Sequence, residues 1–179
     1  MGKAVVFIAT SLDGYIAAND DDLSFLSIVE REEEDYGYSD FIKSVDTVLV
    51  GRKTYDKVMS MVSDFPHAGR ECYVITRDAR PSNGSLHYYN GNLGELVGRL
   101  KYTEGKNIFV DGGSELIDSL LNDNLIDELI ISVIPVLLGD GISLFKKGRP
   151  TLALNLTGSR SFDSGLVQLH YVKITGDEK

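Results

Sequence analysis

The sequence predicts a three-layer α/β fold: a mixed, mostly parallel sheet of about eight strands with flanking helices and an antiparallel strand pair at the C-terminal end. Three observations predict it. Short apolar runs, Ala4–Thr10 and Thr47–Val50 among them, have the unbroken hydrophobic character of strands buried on both faces. Segments with helical spacing separate such runs; in one of them Leu93, Leu96, Val97 and Leu100 share a face. Near the end, Leu152–Arg160 and Leu166–Ile174 follow one another with no room for a helix, so they pair antiparallel.

The remaining elements are taken in chain order. Asp13-Gly14 forces a turn after the first strand, and Asp22 or Ser24 caps the next segment. Phe25 to Lys43 reads as partly helical, with an acidic run from Glu30 to Asp35. The strand Thr47–Val50 ends in Gly51-Arg52-Lys53-Thr54, and Tyr55, Val58, Met59 and Val62 continue with helical spacing. Cys72–Thr76 and Leu86–Tyr89 are the third and fourth strands. Asn92 caps a helix over Leu93–Tyr102, Asn107–Val110 is the fifth strand, and Ser114–Asn122 is a helix closed by Asp123-Asn124. Glu128–Val136 is a long Ile-rich strand, interrupted by Gly139-Asp140-Gly141.

Composition narrows the function classes. A chain of 179 residues, 42% hydrophobic and 25% charged, is expected to form one domain over 1–179, with disorder confined to Thr175–Lys179. With 18 basic and 27 acidic residues the net charge is −9, which opposes non-specific nucleic-acid binding. Cys72 is alone, and His67, His87 and His170 show no metal-ligand spacing, so they read as surface or strand residues and no metal is expected. The N-terminal apolar run is too short for a signal peptide or membrane span, and a cytoplasmic protein is expected.

Three strand ends carry phosphate-friendly chemistry. Val110-Asp111-Gly112-Gly113-Ser114-Glu115 runs from a strand through paired glycines into a helix start, where bare N–H groups and the helix dipole attract anions. Gly51-Arg52-Lys53-Thr54 does the same with two cations and a hydroxyl, and Thr76-Arg77 closes a third strand. In open α/β sheets ligands bind beyond the carboxyl ends of strands, so these turns point to a ligand with more than one phosphate. Arginine at the third suits a 2′-phosphate. None is a G-x-G-x-x-G or Walker sequence.

Other segments suggest a substrate pocket. Asp13 directly follows the first strand, where it either contacts a polar heterocycle and relays a proton or bonds its own turn. Tyr15, Phe25, Tyr36 and Tyr38, with the Asp35 carboxylate at the edge, supply apolar surface for a flat ligand or simply pack on the sheet.

Taken together, Ser11–Ala17, Asp46–Tyr55, Tyr73–Arg77, Val110–Ser114, Asp127–Leu129 and Pro135–Phe145 resemble the dihydrofolate reductase-like superfamily. The likeness is greatest to the C-terminal reductase domain of the bifunctional riboflavin-biosynthesis deaminase/reductase. It runs in order over nearly the whole chain. The resemblance implies a dihydrofolate reductase-like fold and an NADPH-dependent reductase. On it, Gly51, Arg52, Lys53 and Thr54 hold the cofactor phosphates from one side, and Gly112, Gly113, Ser114 and Glu115 from the other. Thr76 and Arg77 lie near the adenosine ribose, and Ala9, Gly14 and Ile16 flank the nicotinamide. It also implies a homodimer, to which Ile130, Ile131, Val133 and Val136 are candidates to contribute. The departures are specific. The chain has no tryptophan, which dihydrofolate reductases usually carry near the nicotinamide. It offers several acids over Glu30–Asp35 where they have one, and no counterpart of the deaminase half. The expectation is therefore hydride transfer to a small pteridine- or pyrimidine-like heterocycle, with Asp13, then Asp35, as the catalytic candidates. The alternatives are a true dihydrofolate reductase and a non-catalytic nucleotide-binding sensor.

Overall fold

The computed structural model describes residues 1–78, 80–103, 105 and 107–174. The tail expected to be disordered, 175–179, lies outside the described residues. The strands are β1 (Ala4–Ser11), β2 (Tyr15–Ala17), β3 (Val45–Gly51), β4 (Glu71–Ile75), β5 (Leu86–Tyr89), β6 (Asn107–Gly112), β7 (Glu128–Ile134), β8 (Ile142–Ser143), β9 (Leu154–Ser161) and β10 (Val167–Lys173). The helices are α1 (Tyr38–Lys43), α2 (Arg52–Met59), α3 (Leu93–Tyr102) and α4 (Ser114–Asn122). Eight strands form one sheet in the order β5-β4-β3-β6-β1-β7-β10-β9, parallel from β5 to β7 and antiparallel where β10 meets β7 and β9.

The apolar runs are strands because they are buried on both faces, and successive side chains go to opposite sides. Ala4, Val6, Leu49, Ile108 and Val110 pack beneath α3 and α4, against Leu96, Val97, Ile117 and Leu120. Val48, Val50, Val74 and Phe109 face the other way, against Tyr55 of α2 and the α1 residues Tyr38, Phe41 and Ile42. Phe41 stacks on Phe7 at 4.8 Å and meets Phe109 edge-on at 5.1 Å. Asn92 caps α3 as its sequence position requires, its side chain accepting from the Glu95 N–H at 3.0 Å.

The segment 25–43, read as partly helical, consists of a 3₁₀ segment over Ser24–Val29 and the short α1. Between them the acidic run turns, with positive φ at Glu33, Tyr36 and Gly37. Like charges three and four residues apart disfavour a helix there. The long Ile-rich strand stops at Ile134, before Pro135. A second, two-stranded sheet forms where β2 pairs with β8. Gly141 permits that pairing, since a Cβ there would overlap the Ala17 carbonyl. Strands of two and three residues are too short to show an alternation, so the sequence gives no sign of them.

Candidate active site

The turns after β3 and β6 lie side by side because those strands are neighbours, with Val50 opposite Gly112. A Cβ on Gly51 would sit 3.4 Å from the Gly112 carbonyl oxygen and the Gly113 nitrogen, and one on Gly113 would meet Thr54 Oγ1 at 2.9 Å. Gly112 has φ +114, a conformation that side-chain-bearing residues rarely adopt. The Gly112–Gly113 peptide is cis. Helices α2 and α4 start at Gly51 and Gly113, so neither has a side-chain N-cap. Their first N–H groups stay available to an anion, and both dipoles point at the same strip of sheet edge. This cradle of bare backbone fits a pyrophosphate-bearing cofactor.

The charged groups around the cradle are engaged with one another. Lys53 Nζ lies 3.7 Å from Glu115 Oε1 across the two turns, an exposed pair of little energetic weight. Arg52 donates from Nε to Asp56 at 3.2 Å and from Nη1 to Asp78. Thr76 is buried, and its Oγ1 accepts from the Asp78 N–H at 3.1 Å. Arg77 is exposed beside it.

A second concavity, of about 380 Å³, opens at the carboxyl half of β1, where β1 has run past its last paired residue on β6, Val6 opposite Val110. Its walls are apolar, from Phe7, Ala9, Leu26, Val29, Ile134 and Leu166. Its polar rim carries Glu30, Arg31, Glu34 and Asp35, with Tyr36 and Tyr38 alongside and Ser132 at the strand wall. The volume suits a small ligand. Burial, then the Asp111 charge, raises the Tyr38 hydroxyl above its ordinary range.

The structure thus brings Ala9, Asp35, Tyr36 and Tyr38 to one pocket and places the other aromatic candidates elsewhere. Phe25 is buried behind the wall with Val29, Ile134 and Leu166, and Leu26 takes its place on the surface. Tyr15 bonds the Ser11 hydroxyl and the Gly139 carbonyl. Ile16 packs with the cluster beneath α3 and α4, and the Gly14 carbonyl accepts from Leu144 N–H at 2.9 Å. Sequence reading missed Phe7 and Ser132, which reach the pocket from strands far apart in the chain, and Leu166, just before β10. Alternation along β1 and β7 is the only signal that could have shown Phe7 and Ser132.

Asp13 and Asp35 are not set up as acids. Asp13 accepts from the Ser11 hydroxyl at 2.6 Å, the Leu138 N–H at 3.1 Å and the Gly139 N–H at 2.7 Å. The Ser11 bond is the main cause of a carboxyl pKa below the usual value of 3.8. Asp13 staples the loop after β7 to the loop after β1. Asp35 accepts from Gly37 and Ser39 N–H groups, each at 2.9 Å, and its pKa is lowered chiefly by Ser39. A depressed folded-state pKa stabilises the fold above the unfolded value and loses that contribution as pH falls through the folded value. Asp13→Ala is therefore expected to lower Tm at pH 7 and to leave it nearer wild type below the lowered Asp13 pKa. Melting curves across that acid range check this; an equal deficit at every pH contradicts it.

One of the three histidines lies where it was not expected. His67 is buried in the loop after α2, 3.4 Å from Asp111, rather than on a strand or the surface. His87 and His170 sit on β5 and β10 against Glu71 and Glu128 at 2.6 and 3.1 Å. Burial pushes the Cys72 thiol up to about 12. No helix among the described residues is long and apolar enough to cross a membrane.

The sheet order is that of a dihydrofolate reductase-like fold. Dihydrofolate reductase from Enterococcus faecalis, in complex with NADP(H), has the same fold, with a TM-score of 0.68 at 14% identity over 97% of this chain and 98% of its own. Residues 3–168 match the RibD C-terminal domain, and the chain belongs to that family. The Bacillus subtilis (strain 168) protein YwjB is 41% identical over 172 residues, covering 96% of this chain and 98% of its own. A Shewanella sp. PV-4 protein assigned to riboflavin biosynthesis is 30% identical, with a TM-score of 0.87 over 97% of this chain and 99% of its own.

Proposed function

We propose that the protein is an NADPH-dependent reductase acting on a small flat heterocycle of the pyrimidine or pteridine type. The observation that carries this reading is the paired cradle at the ends of β3 and β6, one strand away from an apolar pocket at β1. Strand order gives the ligand a direction. The pyrophosphate takes the central cradle, the adenosine ribose takes the end of β4 with Thr76 and Arg77, and the nicotinamide takes the end of β1 by Ala9. The three strand steps from β4 to β1 span roughly 14 Å, the scale of an extended dinucleotide.

Each part of the chain then has a task. The N–H groups of Lys53, Thr54, Ser114 and Glu115 bind phosphate oxygens, and Gly51, Gly112 and Gly113 let them approach. Bound NADPH supplies the hydride. Phe7, Ala9 and Ile134 hold the acceptor ring flat against β1 and β7, aligning the reacting carbons and excluding water. Asp35, ionised at the rim, accepts a hydrogen bond from a ring N–H or amino group. Asp13 keeps the loop after β7 in place beside the nicotinamide end. A homodimer and a cytoplasmic location belong to the same proposal.

The test is a fluorescence titration of the purified chain with NADPH, followed by NADPH oxidation against a panel of pyrimidines and pteridines. Saturable binding with turnover of one class is the expected result. Saturable binding without turnover of any compound favours the sensor, and no binding overturns the reading.

A further inference from the structure

We propose that Asp78 is a specificity-determining residue that opposes a 2′-phosphate and so narrows the preference for NADPH over NADH. The inference rests on the dinucleotide reading above and concerns its adenosine end. Arg52 and Arg77 are the guanidiniums the reading brings to that end, and the fork of Arg52 is already occupied, by Asp56 through Nε and by Asp78 through Nη1. These residues come from different elements: Asp56 lies one turn along α2, whereas Asp78 lies beyond β4. The Asp78 side chain is exposed, but its backbone is tied to the end of β4. Its N–H is bonded to the hydroxyl of Thr76, which is buried and donates its own N–H to the Tyr89 carbonyl at 2.9 Å. The fold therefore holds a carboxylate where the strand-end geometry directs the ribose.

The charge balance follows from that placement. Arg52 and Arg77 supply two positive charges at this end, and Asp56 and Asp78 supply two negative ones. A phosphate monoester carries about −1.5 to −2 at neutral pH. To reach Arg52 it has to displace Asp78 or lie beside it, and like charges in contact repel. A ribose 2′-hydroxyl meets the opposite situation, since a carboxylate accepts its hydrogen bond. Asp78 thus penalises the phosphate and tolerates or favours the hydroxyl, while Arg52 and Arg77 act the other way.

The experiment measures Kd for NADPH and for NADH by fluorescence titration of the full chain and of Asp78→Asn, with thermal melting to show that the variant is folded. Asp78→Ser provides a second removal of the charge. Both variants are expected to bind NADPH about five- to tenfold more tightly than wild type, with NADH unchanged or weakened. If wild type binds NADPH and both variants stay within about twofold of it, the inference is overturned and the dinucleotide reading stands. If wild type and both variants bind neither nucleotide at millimolar concentration, both are overturned together.

Discussion

Replacing Gly112 with valine is expected to remove NADPH binding from the measurable range and to destabilise the fold by about 1–3 kcal/mol. The two losses have separate causes. At φ +114 a β-branched residue is strained whatever the surrounding space. The first added carbon would itself fit, its nearest neighbour being Ile117 Cδ1 at 3.8 Å. The stability cost is therefore backbone strain and not a packing clash. The binding cost arises because side-chain bulk and a shifted backbone both disturb the cradle that the turns after β3 and β6 form together. Gly51→Ala separates these effects. Gly51 has φ −70, which any residue adopts, and its Cβ would make ordinary 3.4 Å contacts with Gly112 and Gly113. That variant is expected to melt close to wild type while binding NADPH about tenfold more weakly. Unchanged NADPH affinity in both variants would remove the cradle from the site.

Ile117→Ala is expected to have the largest effect on stability. Ile117 is fully buried on α4 among Leu49, Val110 and Leu120. Truncating such a side chain costs about 2–5 kcal/mol, which in a chain of this length lowers Tm by roughly 4–20 °C. The same residue lies beneath Gly112, so a cavity there lets the turn after β6 shift. NADPH affinity is then expected to fall along with Tm, although Ile117 touches no ligand. Leu96→Ala on α3, equally buried in that cluster but away from the turn, is expected to lower Tm with NADPH affinity retained. Calorimetry and fluorescence titration on the two variants distinguish a cradle supported from below from general loosening.

Much of the framework was legible locally. The strand Leu86–Tyr89 and the helices Leu93–Tyr102 and Ser114–Asn122 have the bounds that their patterns imply. Asn92 caps where an asparagine before an apolar helical face should. The segment 25–43 read as partly helical, but its spacing did not show where the helical parts lie; like charges and the positive φ values at Glu33, Tyr36 and Gly37 keep the acidic run out of a helix. Asp13 shows a different limit. A carboxylate after a buried strand reads equally as an acid or as a turn residue, and only its long-range bonds to Leu138 and Gly139, 125 and 126 residues away, show that it anchors a loop.

By itself, the sequence determined the strands and helices of the main sheet and the three strand-end turns at Gly51–Thr54, Thr76–Arg77 and Gly112–Glu115. Those depend on signals within a few residues: apolar runs, helical spacing, and glycines where backbone must be bare. Tertiary structure alone decided the strand order that sets the turns side by side. It also decided which residues wall the pocket, and it joined Arg52 to Asp78, 26 residues on. The physical reason is that sheet pairing and ion pairing are settled by three-dimensional proximity between distant segments. Spacing along the chain carries the period of an element but not the identity of the neighbour it will meet.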